Sequence, residues 1–314
     1  MNRQQLSISV IIPIYNGAGY LTQCFQTLSE QVHENWEAIF VNDGSTDSSL
    51  SILQTLSSKD PRIKIYNQEN QGAAKARETG ITQAKGDFVT FLDVDDTIPP
   101  DYLSSMMERF AEETDIVATG FNTVNDGQVT KQRVFGNTIL SRAEYMKKVL
   151  TGKYGWELWG KIYRKRLFDY PIQTPEGIRI GEDAAVFLQL VSHARYVQVI
   201  DKPLYNYIQY QKSASHVQST KYAEETLQAG FFIESVLKKC DFYPEIKKEI
   251  DSMFLLFYSN STRKAYLGKT HPLVQEILKK HFTLKALRLL PIYKSIYIIS
   301  YRFVGKYINK FLFR

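Results

Sequence analysis

The chain has 314 residues, 44% hydrophobic and 23% charged, which excludes a disordered chain and suits one large domain or a domain with a smaller companion. Two cysteines, Cys24 and Cys240, exclude a disulfide framework and a thiolate metal site and fit a reducing cytosol. The net charge of +6 resides in the tail beyond Glu276, so nucleic acid is not expected as a partner.

The first apolar run, Ile8 to Tyr15, is of the kind buried on both faces of a sheet. A signal peptide can begin with Arg3 and such a run. The run is short and no cleavage site follows, so it is read as a strand. Leu21, Cys24, Phe25, Leu28 and Val32 recur at helical spacing. Trp36 to Val41 is the second predicted strand. Thr46 or Asp47 can cap the helix that runs to about Leu56. Ile63 to Tyr66, Phe88 to Leu92 and Ile116 to Thr119 are further strands, with a helix from Gly72 to Ala84. This alternation predicts an α/β fold with a mainly parallel sheet and helices on both faces. Ligands bind beyond the carboxyl ends of such strands, where Tyr15, Asp43 and the acids after Leu92 all fall. Gly17-Ala18-Gly19 resembles a dinucleotide-binding turn, but Thr22 stands where a third glycine belongs.

The fourth strand ends in Asp93, Asp95 and Asp96, and Pro99 and Pro100 stop its continuation. Acids so close repel each other and resist burial. Mn²⁺ or Mg²⁺ would relieve that repulsion and fill its remaining positions with water and phosphate. An acidic capping loop is the plainer reading of these acids alone.

The ordered blocks Val10-Ile11-Ile12-Pro13-Ile14-Tyr15-Asn16, Val41-Asn42-Asp43-Gly44-Ser45-Thr46-Asp47, Asn70-Gln71-Gly72 with Ala76-Arg77 and Gly80, and Gly86-Asp87 with Phe91 to Asp96 resemble family 2 nucleotide-sugar glycosyltransferases. The match covers about the first 105 residues. It continues more weakly through Trp159-Gly160-Lys161 and Gly181-Glu182-Asp183 to about residue 216. Asn42 stands where the family usually has an acid, and Val94 where it more often has Ser.

The resemblance implies the GT-A fold and a nucleotide-sugar donor. It places Pro13, Tyr15, Asn16, Asp43, Arg77 and Asp93 around the nucleotide. Tyr15 would lie against the base, Asp43 would accept from a ring N–H, and Asp93 would meet the ribose. Core packing for Tyr15 and turn capping for Asp43 are the plainer alternatives. Asp95, with Asp93, resembles the acid that holds Mn²⁺ or Mg²⁺. Trp159 and Lys161 are expected on the acceptor side, and Asp96 either there or behind the metal site as a support for its ligands. Asp183, or alternatively Glu182, resembles the base that takes a proton from the acceptor hydroxyl. Capping of the following helix would explain both acids equally well.

Trp156, Trp159, Lys161, Tyr163, Arg164, Lys165 and Arg166 mix aromatic and basic groups that suit a sugar diphosphate, or a half-buried amphipathic helix. His216 follows an aromatic strand, Tyr205 to Tyr210. In similar enzymes this segment closes over the donor, which would bring His216 to the diphosphate or metal; an exposed loop histidine is the plainer reading.

The expected organisation is a GT-A domain over 1–218, divided at 105 into a nucleotide-binding and an acceptor-side half. A helical packing segment follows over 219–276, and then a tail over 277–314. The nine Lys and Arg after Glu276 meet no acid, and without them residues 1–276 hold 30 basic groups against 33 acids. On a helical wheel Tyr293, Tyr297, Tyr301, Val304, Ile308 and Phe311 oppose Arg302, Lys306 and Lys310. That pattern predicts peripheral contact with the cytoplasmic face of a membrane, or packing on this protein's own core or a second subunit. The expected activity is inverting, metal-dependent transfer from a UDP-sugar to a glycan hydroxyl. A lipid-linked acceptor in bacterial surface polysaccharide synthesis is expected, and a homo-oligomer stays open. A glycosylated protein acceptor and an inactive transferase-like scaffold are the alternatives.

Overall fold

The structure is a computed structural model that describes residues 6–175, 177–178, 180–210, 219–263 and 267–304. It divides into two compact units, one built from residues 1–142, 157–172 and 193–211, the other from 143–156, 173–192 and 212–314.

The first unit holds a nine-stranded sheet. Its elements are β1 (Ile8–Ile14), α1 (Leu21–Ser29), β2 (Trp36–Asp43), α2 (Ser49–Lys59), β3 (Ile63–Gln68), α3 (Ala73–Gln83), β4 (Phe88–Phe91) and α4 (Tyr102–Met107), then β5 (Thr114–Asn125), β6 (Gln128–Arg133), β7 (Thr138–Ser141), β8 (Lys161–Arg164) and β9 (Tyr196–Ile208). The spatial order is β3-β2-β1-β4-β8-β5-β9-β7, with β6 on β5. Strands β1 to β4 pair in parallel, as does β5 with β9. β6, β7 and β8 run the other way. The sheet is thus mainly parallel in strand direction, and its antiparallel members lie outside the expected set.

Helices cover both faces. Ile8, Val10, Ile12 and Ile14 of β1 join Leu21, Cys24 and Leu28 of α1, Leu53 of α2 and Leu103 and Met106 of α4 in one core. Alternation along the strand turns Ile11 and Val41 to the opposite face. There α3 comes so close that a Cβ on Gly80 would lie 2.5 Å from Ile11 Cγ2. Only glycine lets this helix reach the sheet without displacing it.

The segment from Trp156 to Arg166 is not a helix, as one reading expected. It enters β8 and continues into a 3₁₀ turn, Lys165–Asp169.

The second unit is helical: α5 (Arg142–Leu150), which begins at the unit boundary, α6 (Glu182–His193), α7 (Thr220–Leu237), α8 (Tyr243–Arg263), α9 (Pro272–Lys280), α10 (Leu284–Leu287) and α11 (Ile292–Val304). The predicted tyrosine face of the tail is divided. Tyr297 and Tyr301 are buried, and Tyr297 Oη donates to Thr262 Oγ1 of α8 at 3.2 Å. They belong to the protein's own core because an aromatic row beside Tyr258 buries more surface inward than outward. Tyr293 is exposed. The Val304 side chain, Lys306, Ile308, Lys310 and Phe311 lie outside the described residues. Among the described residues no helix is long and apolar enough to cross a membrane.

Candidate functional site

Four loops meet at the carboxyl ends of β1, β2, β3 and β4, and side-chain bonds stitch them together. Asn16 sits in the left-handed region with φ 52° and donates its N–H to Ser45 Oγ at 3.0 Å. Its Oδ1 accepts from the Thr46 N–H at 2.8 Å. Gly17 N–H donates to Ser49 Oγ at 3.0 Å, and Ala18 N–H to Asp47 Oδ2 at 3.1 Å. Asp47 also accepts from Ser49 N–H at 2.9 Å, as an Asx cap of α2 does. Asn42 accepts from Ser45 N–H and donates to Asn67 Oδ1, so the amide that replaces the family's acid holds this turn. A Cβ on Gly44 would lie 2.8 Å from Asn70 N, and one on Gly17 3.2 Å from Val94 Cγ1. The β2, β3, β1 and β4 ends are therefore in contact.

Tyr15 stands on this platform 56% exposed, so it is not core packing. Asp43 is different. It is buried, and its carboxylate accepts from Gln68 Nε2 at 2.8 Å, Gln71 N–H at 2.9 Å and Gly72 N–H at 2.8 Å. Its foremost structural task is to fix the loop into α3, and a carboxylate so engaged keeps about one acceptor site for a base N–H. Arg77 Nη2 donates to Asp93 Oδ1 at 3.1 Å, which orients both groups. Pro13 is half-buried within β1.

The acids after β4 differ in exposure. Asp93 and Asp95 are half-buried and Asp96 is buried. Burial and the charge of Asp93 hold the Asp95 carboxyl above the usual carboxylate range. The same causes, in that order, hold Asp96 well above it. The negative field reaches Cys24 beneath them, whose thiol is pushed up by burial and then by Asp96, Asp95 and Asp93. It is an unreactive packing residue.

Of the two places expected for Asp96, its contacts match the one behind the acid loop and not the acceptor side. Asp96 accepts from Tyr205 Oη at 2.8 Å and from Ile208 N–H at 2.8 Å, so it anchors the acid loop to β9. Tyr205 is buried, and burial followed by Asp96 keeps its hydroxyl protonated as the donor. The aromatic spacing showed the strand that carries Tyr205 but not its partner. Lys161 is corrected. It is 5% exposed and its ammonium donates to the carbonyls of Glu157 at 2.5 Å and Trp159 at 3.3 Å. Trp159 stacks on Tyr205 at 4.4 Å and on Tyr207 at 5.7 Å, with Phe121 edge-on at 5.1 Å.

Arg164 and Arg166 do not meet a diphosphate. The β4–β8 register sets Arg164 against Phe88, at the opposite end of β4 from Asp93. With Arg195 they surround Asp115, which is fully buried. Lys165 Nζ donates to Ala84 O at 2.5 Å.

In the second unit, Glu182 and Asp183 form the first turn of α6, and Asp183 Oδ1 accepts from Ala184 N–H at 2.8 Å. Gly181 precedes them with φ 84°, and a Cβ there would lie 2.9 Å from Ala229 Cβ of α7. The helix dipole favours the ionised form of both acids. His216 lies outside the described residues.

A divalent cation fits the acid loop. Its donors are carboxylate oxygens, which hard cations prefer, and among the described residues the three acids have one paired cation, Arg77. Among the described residues no three His, Cys, Asp or Glu side chains form a group that could hold a metal by themselves. An ion at Asp95 would complete its shell with ligand and water.

A family model described as "Glycosyl transferase family 2" matches residues 9–170. "Putative glycosyltransferase EpsH" of Bacillus subtilis (strain 168) is 30% identical over 259 residues, covering 81% of this chain and 75% of its own length. "Glycosyltransferase GlyA" of Streptococcus pneumoniae is 31% identical over 233 residues, which is 71% of this chain but 33% of GlyA. The crystal structure of S. aureus TarS 1–349 in complex with UDP-GlcNAc has the same fold, with a TM-score of 0.72 at 21% identity over 97% of this chain and 92% of that one. The mannosyltransferase PcManGT from Pyrobaculum calidifontis, in complex with GDP-Man and Mn2+, gives 0.57 at 16% identity over 95% and 87%.

Proposed function

The chain belongs to glycosyltransferase family 2, and from that membership we propose inverting, metal-dependent transfer of a sugar from a UDP-sugar to a hydroxyl of a lipid-linked glycan. One observation carries the reading. Four stitched loops present an exposed Tyr15, the Arg77–Asp93 pair and an Asp95 that has no salt-bridge partner among the described residues. This is a scaffold for a base, a ribose and a metal-bound diphosphate on neighbouring strand ends.

Tyr15 offers its ring to the base and the remaining acceptor site of Asp43 takes a ring N–H. Arg77 fixes Asp93 for the ribose hydroxyls. A Mn²⁺ or Mg²⁺ ion held by Asp95, with Asp93 beside it, would neutralise charge on the departing nucleoside diphosphate. Asp183 is the base, and its place in the first turn of α6 supports an ionised carboxylate ready to accept a proton. The acceptor oxygen bonds to the anomeric carbon as the bond to the diphosphate oxygen breaks, and the hydroxyl proton passes to Asp183. A single displacement inverts the configuration and needs no covalent enzyme intermediate.

The basic tail supports an acceptor held at the inner face of a membrane, and the bacterial relatives support surface polysaccharide synthesis. The test uses α-linked UDP-sugars, Mn²⁺ and polyprenyl-diphosphate-linked sugars, with the new linkage assigned by NMR. A β linkage that Asp183→Asn abolishes is expected. An α linkage would contradict the single displacement.

A further inference from the structure

Helix α11 has two apolar faces. The inward face carries Tyr297, Ile298 and Tyr301, all buried, with Tyr301 edge-on to Tyr258 of α8. The outward face carries Ile292, Ile296, Ile299 and Phe303, which are 79%, 52%, 40% and 72% exposed. Steps of four, three and four residues keep these side chains in one row. Tyr293 flanks the row, and Leu284 of α10 is exposed as well.

The charge around the row selects its occupant. Beyond Glu276 the sequence has nine Lys and Arg and no acid, and Lys279, Lys285 and Arg288 are exposed. A second copy would set the same patch against itself. It would therefore bring basic groups to basic groups, with no acid from either tail to offset them. An anionic bilayer supplies both an apolar layer and negative charge. The described part of the helix is about 20 Å long, less than a hydrocarbon core of about 30 Å, and suits a position in the plane of the interface.

We propose that the Ile292–Ile296–Ile299–Phe303 row, and not the tyrosine face, docks this protein on an anionic membrane surface. The inference rests on the reading of the tail as a membrane contact and names the face that makes it. Phe303 and Ile296 enter the acyl boundary while the basic groups meet lipid phosphates.

The test is flotation of the full chain with vesicles of equal parts phosphatidylglycerol and phosphatidylcholine, and with phosphatidylcholine alone. The variant Ile292→Ser/Ile296→Ser/Phe303→Ser removes only exposed apolar groups, so its thermal midpoint should equal the wild type's. Its partition into anionic vesicles should fall by roughly tenfold or more, since each of these side chains is worth up to about that factor when buried. In a separate Phe303→Trp variant, vesicles should shift the added emission to the blue. Equal partition of wild type and triple variant would overturn the assignment of the row and leave the tail reading standing. No partition of the wild type would overturn both. A wild-type dimer by light scattering that the triple variant dissolves would give the row to a second copy and overturn the membrane assignment.

Discussion

The sheet carries buried acids at both ends and treats them in opposite ways. At the amino end of β5, Asp115 is fully buried and accepts from Arg166 Nη2 at 2.5 Å and from Arg195 Nε at 3.1 Å, with Arg164 Nε at 3.6 Å. Burial alone would push its carboxyl up. The bonds from Arg195 and Arg166 outweigh that and hold it below its ordinary value. At the carboxyl end of β4, Asp93, Asp95 and Asp96 share one paired cation among the described residues, Arg77 on Asp93. There burial and mutual repulsion hold Asp95 and Asp96 high. Burial of an acid is therefore no sign of function by itself. An acid short of positive charge and partly open to solvent, as Asp95 is, is the better candidate.

The largest effect should come from the uncompensated end. Asp95→Asn keeps the size of the side chain and removes its charge. Sugar transfer should fall by roughly 10²- to 10³-fold, as when a group that stabilises transition-state charge is lost. The thermal midpoint of the metal-free protein should not drop. A kinetic assay of UDP release beside a melting curve separates the two readouts.

Asp115→Asn should do the reverse. It removes the charge that three half-exposed arginines share and leaves them crowded together. A loss of about 2 kcal/mol is expected, the worth of hydrogen bonds to a charged group, because the arginines keep contact with water. Urea unfolding would measure it, and UDP affinity of the folded protein should be unchanged.

Acid should narrow that second difference. Asp115 has a lowered folded pKa, so its contribution is complete above the unfolded value of about 3.9 and is lost as pH falls through the folded value. The stability gap between wild type and Asp115→Asn should be flat above about pH 5 and shrink below about pH 4. The slope cannot exceed about 1.4 kcal/mol per pH unit for one proton. A gap that widened in acid would contradict the role of the arginines.

The smallest effect tests the stitching of the loops. Asn16→Ala removes the acceptor for Thr46 N–H and a side chain suited to positive φ. It should cost about 1 kcal/mol of stability in urea unfolding, the worth of a typical hydrogen bond, and weaken UDP binding by a larger factor than it speeds unfolding.

β1, β2 and β4 were legible because each is an apolar run buried on both faces, and the half-exposed β3 because Ile63, Ile65 and Tyr66 stand between turn residues. The Asp93–Asp96 loop was legible because acids after such a run violate the local pattern. Three strands were hidden. Gln128 to Arg133 is a polar, largely exposed ribbon, and Lys161 to Arg164 has only two uncharged residues among its four. The Asp115 cluster was hidden because Arg164, Arg166 and Arg195 are distant in sequence from their partner, so the basic groups near Trp159 suggested a ligand. Lys161 misled for a related reason. A polar residue inside a motif suggests contact with substrate, whereas here two backbone carbonyls take up its ammonium. The tail's wheel identified an amphipathic helix but not which of its apolar faces the core would claim.

The central claim is that Asp95 takes up a cation together with a nucleoside diphosphate. The direct measurement is thermal unfolding with UDP, with and without Mn²⁺, for wild type and Asp95→Asn. At a hundred times its dissociation constant a ligand stabilises by about 2.7 kcal/mol, a shift of a few degrees for a chain of this size. The account predicts that shift only for wild type with UDP and Mn²⁺ together. An equal shift without metal, or in Asp95→Asn, would contradict it.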